Sequence, residues 1–503
     1  MIHRAMLVAA ALWAVGVQAA PPPAPEPAPV PAPATVAVTG GTIRGATDAD
    51  GTLVFRAIPF AAPPLADLRW RAPASVVPWT GTRDATRAAP SCLQNDYGWN
   101  HADFVRASED CLTLDIATQA LSGKRPVMVW IHGGSNRAGS AGETIRSPLA
   151  RRGVVLVAIQ YRLGLFGNLP HRALAEEQGG KAGNYGLMDQ IAALRWIQAN
   201  IARFGGDPAN VTIFGESAGG QDVGLLLASP MTRGLFARAI LQSGTPSFGL
   251  SWRPLAEALR LGDQLDAVLG TDGSLPPLRS ASAHALLEAD KSLHDPALQH
   301  DDFMWLRTTI DGAVLPDTPA RLLAQAMPRP AIIGSNRAEF GLPGGRPHRD
   351  AGVDAAFGPQ AARARSFYRL DQPDPPADPR LGTRDLRIAT DILFRCPAGQ
   401  WASVLSAAGG QVWRYELDLA PGGGLSFHGS DMAYVTGDQR FGSQSLSLAD
   451  YWLSFATTGD PNGGSRPHWP SFDDKAKAQV LFDEAGVHPQ TSPTTPCDWM
   501  VTP

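Results

Sequence analysis

Two stretches of this chain carry no polar interruption. Pro126-Val-Met-Val-Trp-Ile131 and Val154-Val-Leu-Val-Ala-Ile159 are apolar at every position. A strand wet on one face would alternate, so these runs predict strands covered on both faces, and hence a parallel sheet between layers of helix. The period then changes. Between Gly186 and Phe204 the residues Leu187, Ile191, Leu194, Ile197 and Ile201 recur at helical spacing, and Gly205-Gly206 supplies the stop. A short strand follows at Val211–Phe214 and runs into a helix-like stretch through Leu227. Further strands are expected at Val36–Val38 before the Gly40-Gly41 turn, at Ala331–Asn336 and at Gln411–Leu417. Strands alternating with helices predict an α/β fold with a large, mostly parallel central sheet flanked by helices. The Pro/Gly-rich stretches Leu342–Pro347 and Asp371–Pro379 read as loops of insertions, because strand and helix patterns resume beyond them without a shift in composition.

The first residues follow a different pattern. Met1-Ile2-His3-Arg4 precedes an apolar run from Ala5 to Val17 and a small-residue site at Val17-Gln18-Ala19, which reads as a secretory signal peptide over residues 1–19, cleaved after Ala19. The run is too short to cross a bilayer and no later one is long enough, so no membrane anchor is expected. The first cysteine is Cys92, far from the cleavage site, which argues against a lipid-modified N-terminus. Residues 20–34, with proline at nearly every second position from Pro21 to Pro33, read as an extended linker, and residues 35–503 as a single domain.

Composition narrows the class. With 44% hydrophobic and 18% charged residues the chain can bury a large core, and a net charge of −4 provides no basic field for nucleic acid or for a membrane surface. In an oxidising compartment the four cysteines most economically form two disulfides. Three pairings are open; Cys92 with Cys111 closes the shortest loop and leaves Cys396 for Cys497. No Cys-x-x-Cys pair and no histidine at ligand spacing accompanies them, so no metal is expected.

The candidate chemistry lies where the strand Val211–Phe214 enters Gly215-Glu216-Ser217-Ala218-Gly219-Gly220. Strand, G-x-S-x-G, helix is the pattern of a nucleophile elbow, whose small flanking residues permit a strained turn that lifts a serine clear of the sheet. Ser217 is therefore the candidate nucleophile. A serine hydroxyl needs a general base, and the base needs an acid to orient it; in this arrangement they follow in the order Ser, Asp or Glu, His. After a plausible acid, His348, His428, His468 and His488 remain. His428 follows the strand Gln411–Leu417 in the small-residue loop Gly422 to Asp431 and is chosen as base. Glu339, just past Ala331–Asn336, is preferred as acid over Asp311, which begins an Asp311-Gly312 turn ahead of another expected strand. The amides of the loop Gly133-Gly134-Ser135 and of Ala218 are candidates to bind a developing oxyanion.

These motifs, with others in fixed order, resemble the type-B carboxylesterase family, which includes cholinesterases and bacterial para-nitrobenzyl-type esterases. The landmarks are Ile58-Pro-Phe-Ala61 with Pro63-Pro64 and Leu68-Arg-Trp-Arg71; Ser108-Glu-Asp-Cys-Leu112; Val129 to Gly134; Asn184-Tyr-Gly-Leu-Met-Asp-Gln190; Phe204-Gly-Gly-Asp-Pro208; Phe214 to Gly220; and Tyr451-Trp-Leu-Ser-Phe455 with Gly459-Asp-Pro-Asn462. The resemblance spans nearly the whole chain after the linker. It implies an α/β-hydrolase fold with inserted helical and loop segments around an active-site gorge, Ser217, Glu339 and His428 as triad, and oxyanion amides at Gly134, Ser135 and Ala218. It also implies bridges Cys92 to Cys111 and Cys396 to Cys497.

The chain departs from the family where a third glycine and an aromatic are usual: it has Ser135 and Asn136, followed by Arg137. If that position needs a positive φ, the loop is strained. A polar Ser135-Asn136-Arg137 rim could select acyl groups bearing a carboxylate; the plainer expectation is a solvated surface arginine. Glu216, beside the nucleophile, either tunes the histidine electrostatically or is a structural carboxylate. The function expected is an exported, periplasmic or secreted serine carboxylesterase, acting on a small-molecule ester and water without metal or organic cofactor. The alternatives are an amidase, carbamate hydrolase or acyltransferase on the same residues, or a noncatalytic binding protein of the same fold.

Overall fold

The computed structural model describes residues 34–298, 301–341, 345–491 and 495–501. The expected signal peptide and all of the expected linker but residue 34 lie outside them. The uninterrupted apolar runs fold as anticipated, at the centre of an eleven-stranded sheet. Its strands are β1 (Ala46–Thr47), β2 (Leu53–Pro59), β3 (Thr113–Thr118), β4 (Arg125–Ile131), β5 (Val155–Ile159), β6 (Gly206–Glu216), β7 (Arg238–Gln242), β8 (Ala331–Asn336), β9 (Val412–Asp418), β10 (Ala478–Asp483) and β11 (Gly486–Thr491). They lie in the order β11-β10-β9-β8-β7-β6-β4-β5-β3-β2-β1. The neighbours from β10 through to β5 are parallel, while β3, β2, β1 and β11 join antiparallel at the two edges.

Burial on both faces explains the missing alternation. Val127, Val129 and Ile131 of β4 pack with Val155, Val157, Val211, Ile213 and Leu241 beneath three helices, α1 (Tyr185–Asn200), α2 (Ala218–Ala228) and α3 (Cys396–Ala407). The intervening Met128 and Trp130 point the other way and join Leu156, Phe214 and Ile240 under α4 (Leu448–Thr458). The two-residue period is intact; both of its phases are simply apolar. α1 ends as expected, through a tighter turn at Ile201–Phe204 and a left-handed Gly205 with φ 74°. β6 is longer than the expected Val211–Phe214 at both ends.

The loop expected at Leu342–Pro347 is corrected. Among its described residues, Gly345 to Pro347 open a helix, Gly345–Phe357, where proline is tolerated because the first N–H groups of a helix have no partner to lose. This helix belongs to an insertion that buries Val353, Phe357, Ile388 and Phe394 against Ala218 at the start of α2. The strand expected after Asp311 is also absent: a two-residue strand, Thr309–Ile310, precedes it instead. Disulfides join Cys92 to Cys111 and Cys396 to Cys497. Among the described residues no helix is long and apolar enough to cross a membrane.

The face under α4 is anchored by Trp469, fully buried, with its ring centroid 5.3 Å from that of Phe482 and 5.8 Å from that of Tyr451, and its indole N–H donating to the carbonyl of Arg414 at 3.0 Å. Trp469→Ala leaves a cavity that this cluster cannot close, and the expected result is a loss of about 3–5 kcal/mol in urea unfolding.

Candidate active site

Ser217 stands alone between the end of β6 at Glu216 and the start of α2 at Ala218. Its backbone, φ 59° and ψ −128°, lies where a residue with a side chain is strained. The turn closes because its flanking glycines lack side chains. A Cβ on Gly215 would meet the carbonyl carbon of Gly219 at 2.5 Å, and one on Gly219 would come within 2.1 Å of the carbonyl oxygen of Ile131. Helix α2 therefore crosses the end of β4 at a separation only glycine allows, which is the physical content of G-x-S-x-G. The Ser217 N–H donates to the carbonyl of Gln242 on β7 at 2.9 Å.

The same crossing brings in the loop after β4. A Cβ on Gly133 would lie 3.0 Å from that of Ser217. Beyond it the amides of Arg137 and Ala138 both donate to the Gly134 carbonyl at 3.0 Å, closing a tight loop. Gly134 has φ 100°, Ser135 φ 59° and Asn136 φ 56°, so two residues with side chains hold left-handed backbone in succession. The Gly134 and Ser135 amides donate to no other group among the described residues. Tyr161, at the end of β5, supports the loop from below: its hydroxyl donates to the His132 carbonyl at 2.6 Å and its ring stacks on the His132 imidazole at 4.3 Å. Burial pushes His132 down to about 4, so that ring is neutral.

The expectation of a solvated surface Arg137 is corrected, and Asn136 before it is turned inward as well. Asn136 is buried, and its amide donates to Asp222 Oδ1 on α2 at 3.0 Å. Arg137 folds inward, with its side chain one-tenth exposed; it reaches Asp290 at 3.7 Å and covers the Tyr97 ring at 5.3 Å. A guanidinium held by a buried carboxylate and an aromatic face is not offered to solvent as a rim charge.

Glu339 and His428 meet because their strands are neighbours. β8 and β9 are parallel, with Asn336 beside Leu417, so the loops leaving them run side by side. The Ala338 amide donates to the Ser426 carbonyl at 3.0 Å. Glu339, 1% exposed, accepts the Asn336 N–H on Oε1 at 2.6 Å and lies with Oε2 2.7 Å from His428 Nδ1. With Nδ1–H directed at the carboxylate, the free lone pair of the neutral ring is on Nε2. The Phe340 and Phe394 rings flank the imidazole at 4.9 and 5.1 Å. Nε2 lies 3.3 Å from Oε1 of Glu216, the residue next to Ser217.

Asp311 has another task, accepting the amides of Ala313, Val314 and Leu315 within its own turn. His348 lies within the helix Gly345–Phe357, His468 is exposed, and His488 is exposed 3.0 Å from Asp483.

Three carboxylates, two buried and Glu216 partly so, surround one imidazole. Burial alone would depress His428, but Glu216, Glu339 and Asp431 outweigh it and push its pKa up. Burial also pushes Glu216 up, helped by Asp431 and Glu339 and opposed by His428. Sequence reasoning missed Asp431, which accepts from Gln242 Nε2 at 2.7 Å and from the Tyr415 hydroxyl at 3.2 Å. It also missed Tyr161 and Asp222. Only Asp431 had a local signal, a carboxylate three residues after the chosen histidine.

The family model described as the carboxylesterase family matches residues 32–352 and 357–496. The chain is 35% identical over 471 residues to fumonisin B1 esterase of Sphingopyxis macrogoltabida, covering 86% of this chain and 84% of that protein. To the para-nitrobenzyl esterase of Bacillus subtilis it is 32% identical over 476 residues, covering 88% and 93%. A solved PNB esterase superposes with a TM-score of 0.80 at 29% identity, covering 93% of this chain and 99% of that one. The chain belongs to the carboxylesterase family, with the α/β-hydrolase fold, and is a carboxylic ester hydrolase.

Because the Glu216 carboxylate stabilises the imidazolium, its removal must lower the His428 pKa. In Glu216→Gln the NMR titration of the His428 ring is expected to move to lower pH than in the parent.

Proposed function

We propose that this protein is an exported serine carboxylesterase that works through a covalent acyl-enzyme, with Ser217 as nucleophile, His428 as general base and Glu339 as the acid that orients it. The observation that carries the reading is the Glu339–His428 bond at 2.7 Å, which leaves Nε2 as the basic nitrogen beside a strained serine elbow.

Ser217 Oγ attacks the ester carbonyl while His428 Nε2 takes its proton, and the carbonyl oxygen gains the negative charge. Gly134, Ser135 and Ala218 supply amides to that oxygen; the first two donate nowhere else among the described residues, and Ala218 heads a helix, whose first N–H groups have no intrahelical partner. Collapse of the intermediate expels the alcohol, which receives the proton from Nε2. Water then repeats the sequence on the acyl-serine, with His428 again as base, and releases the acid and free Ser217. Glu339 keeps Nδ1 protonated and the ring aligned throughout.

Export is supported by the leader pattern of residues 1–19 and by two disulfides, which persist in oxidising compartments. The mature protein recovered from the periplasm or medium is expected to begin at Ala20, as read by intact mass and N-terminal sequencing.

A p-nitrophenyl ester series from acetate to long-chain acyl groups, with fumonisin B1 added because a similar esterase is named for it, tests the activity. The parent is expected to turn over esters and Ser217→Ala to lose at least ~10³-fold in kcat, with a folded circular-dichroism spectrum. Turnover unchanged in Ser217→Ala would overturn the mechanism.

A further inference from the structure

One buried interaction next to the oxyanion loop has no part in the steps above. Asn136 Nδ2 donates to Asp222 Oδ1 at 3.0 Å, and Gln190 Nε2 donates to Asp222 Oδ2 at 2.5 Å. All three side chains are buried, and they come from three elements: the loop after β4, helix α2 and helix α1. Asp222 lies on the same helix that begins directly after Ser217, and so moves with the elbow as one body. Asn136 directly follows Ser135. Its carbonyl also accepts the Gly164 amide at 2.6 Å, so the residue is pinned through its main chain on one side and through its side chain on the other.

The backbone gives this pinning a purpose. Ser135 and Asn136 both hold φ near +60°, a conformation that residues with a Cβ keep only when surrounding bonds over-determine it. Glycine would take it freely. Here the loop is held in place by a tether to the nucleophile's own helix.

We propose that Asn136 is a positioning residue for the oxyanion hole: through Asp222, braced by Gln190, its side chain fixes the Gly134 and Ser135 amides relative to Ser217. This rests on the esterase reading above. Oxyanion donors act on a charge that exists only in the transition state and must be aimed before it forms. Loss of the tether therefore reduces kcat and leaves ground-state binding alone, whereas a residue that merely filled space would change stability and leave the two constants in proportion.

Asn136→Gly isolates the tether, because glycine accepts the left-handed backbone without strain. Asn136→Asp sets a second carboxylate against Asp222, and Asn136→Asp combined with Asp222→Asn restores a carboxylate–amide pair with the roles exchanged. Each is assayed with p-nitrophenyl butyrate and with a trifluoromethyl ketone that forms a tetrahedral adduct on serine, beside the thermal midpoint. Asn136→Gly and Asn136→Asp are expected to lose ~10- to 100-fold in kcat with KM within ~3-fold, and to bind the ketone more weakly by the same factor. The exchanged pair is expected to regain at least ~10-fold over Asn136→Asp. An Asn136→Gly protein with kcat within ~3-fold of an active parent overturns the positioning role and leaves the esterase reading intact. So does an exchanged pair that folds and regains nothing. A folded parent inactive on every ester overturns both.

Discussion

A Cβ on Gly219 would stand 2.1 Å from the carbonyl oxygen of Ile131, and one on Gly244 would stand 2.1 Å from the carbonyl oxygen of Ser217. The start of α2 is thus in backbone contact with the C-terminal ends of both strands beside its own, and the geometry of the site follows from that contact. Because β4, β6 and β7 are parallel, their ends arrive at the same edge of the sheet, where the loops leaving them converge on Ser217. The next two strands in the parallel series, β8 and β9, deliver Glu339 and His428 to the same edge. Glycine is required where backbone meets backbone, and the strain of the elbow is held by the packing on every side of it.

The second constraint is electrostatic. Glu339 addresses one nitrogen of His428 through a short bond in a fully buried position, and Glu216 lies near the other at 3.3 Å. Asp431 adds a third carboxylate within the same shell, itself held by Gln242, whose side-chain carbonyl in turn accepts the Trp452 indole N–H at 3.1 Å. Glu339 both aligns the ring and raises its basicity, while Glu216 and Asp431 act on its basicity through their field: alignment depends on direction, basicity on all three.

The glycine loop after β4 is supported from several directions. Tyr161 holds its base, Asn136 ties its middle to α2, and the Cys92–Cys111 loop holds its far end. There Gln94 and Gly139 exchange two hydrogen bonds of 2.9 Å, and the Ser140 hydroxyl donates to Asp103 at 2.8 Å. The Cys92–Cys111 loop also places Trp99, 67% exposed, against Gly134. A segment with two successive left-handed residues that are not glycine needs this density of contacts to stay in one conformation.

The apolar runs of β4 and β5, the helical spacing from Leu187 to Ile201 and the strand–G-x-S-x-G–helix pattern were legible because each is a local matter: burial on two faces, amphipathic period and a turn that excludes side chains all leave marks within a dozen residues. Glu339 and His428 could be picked as candidates too, since both follow apolar strands in the order such sites require, and the fold brings the two together. The helix at Gly345–Phe357, the absent strand after Asp311 and the inward turn of Asn136 and Arg137 were not legible. Each is decided by partners distant in sequence: the cluster around Val353 and Phe394, the three amides that occupy Asp311, and Asp222 and Asp290 waiting in the interior. The sequence by itself determined the buried strands, the amphipathic helix and the glycine turn, and it brought out Ser217, Glu339 and His428 as candidates. Only the tertiary structure decided where the polar side chains beside the site point, because a buried donor or acceptor turns toward the partner that the fold brings within reach.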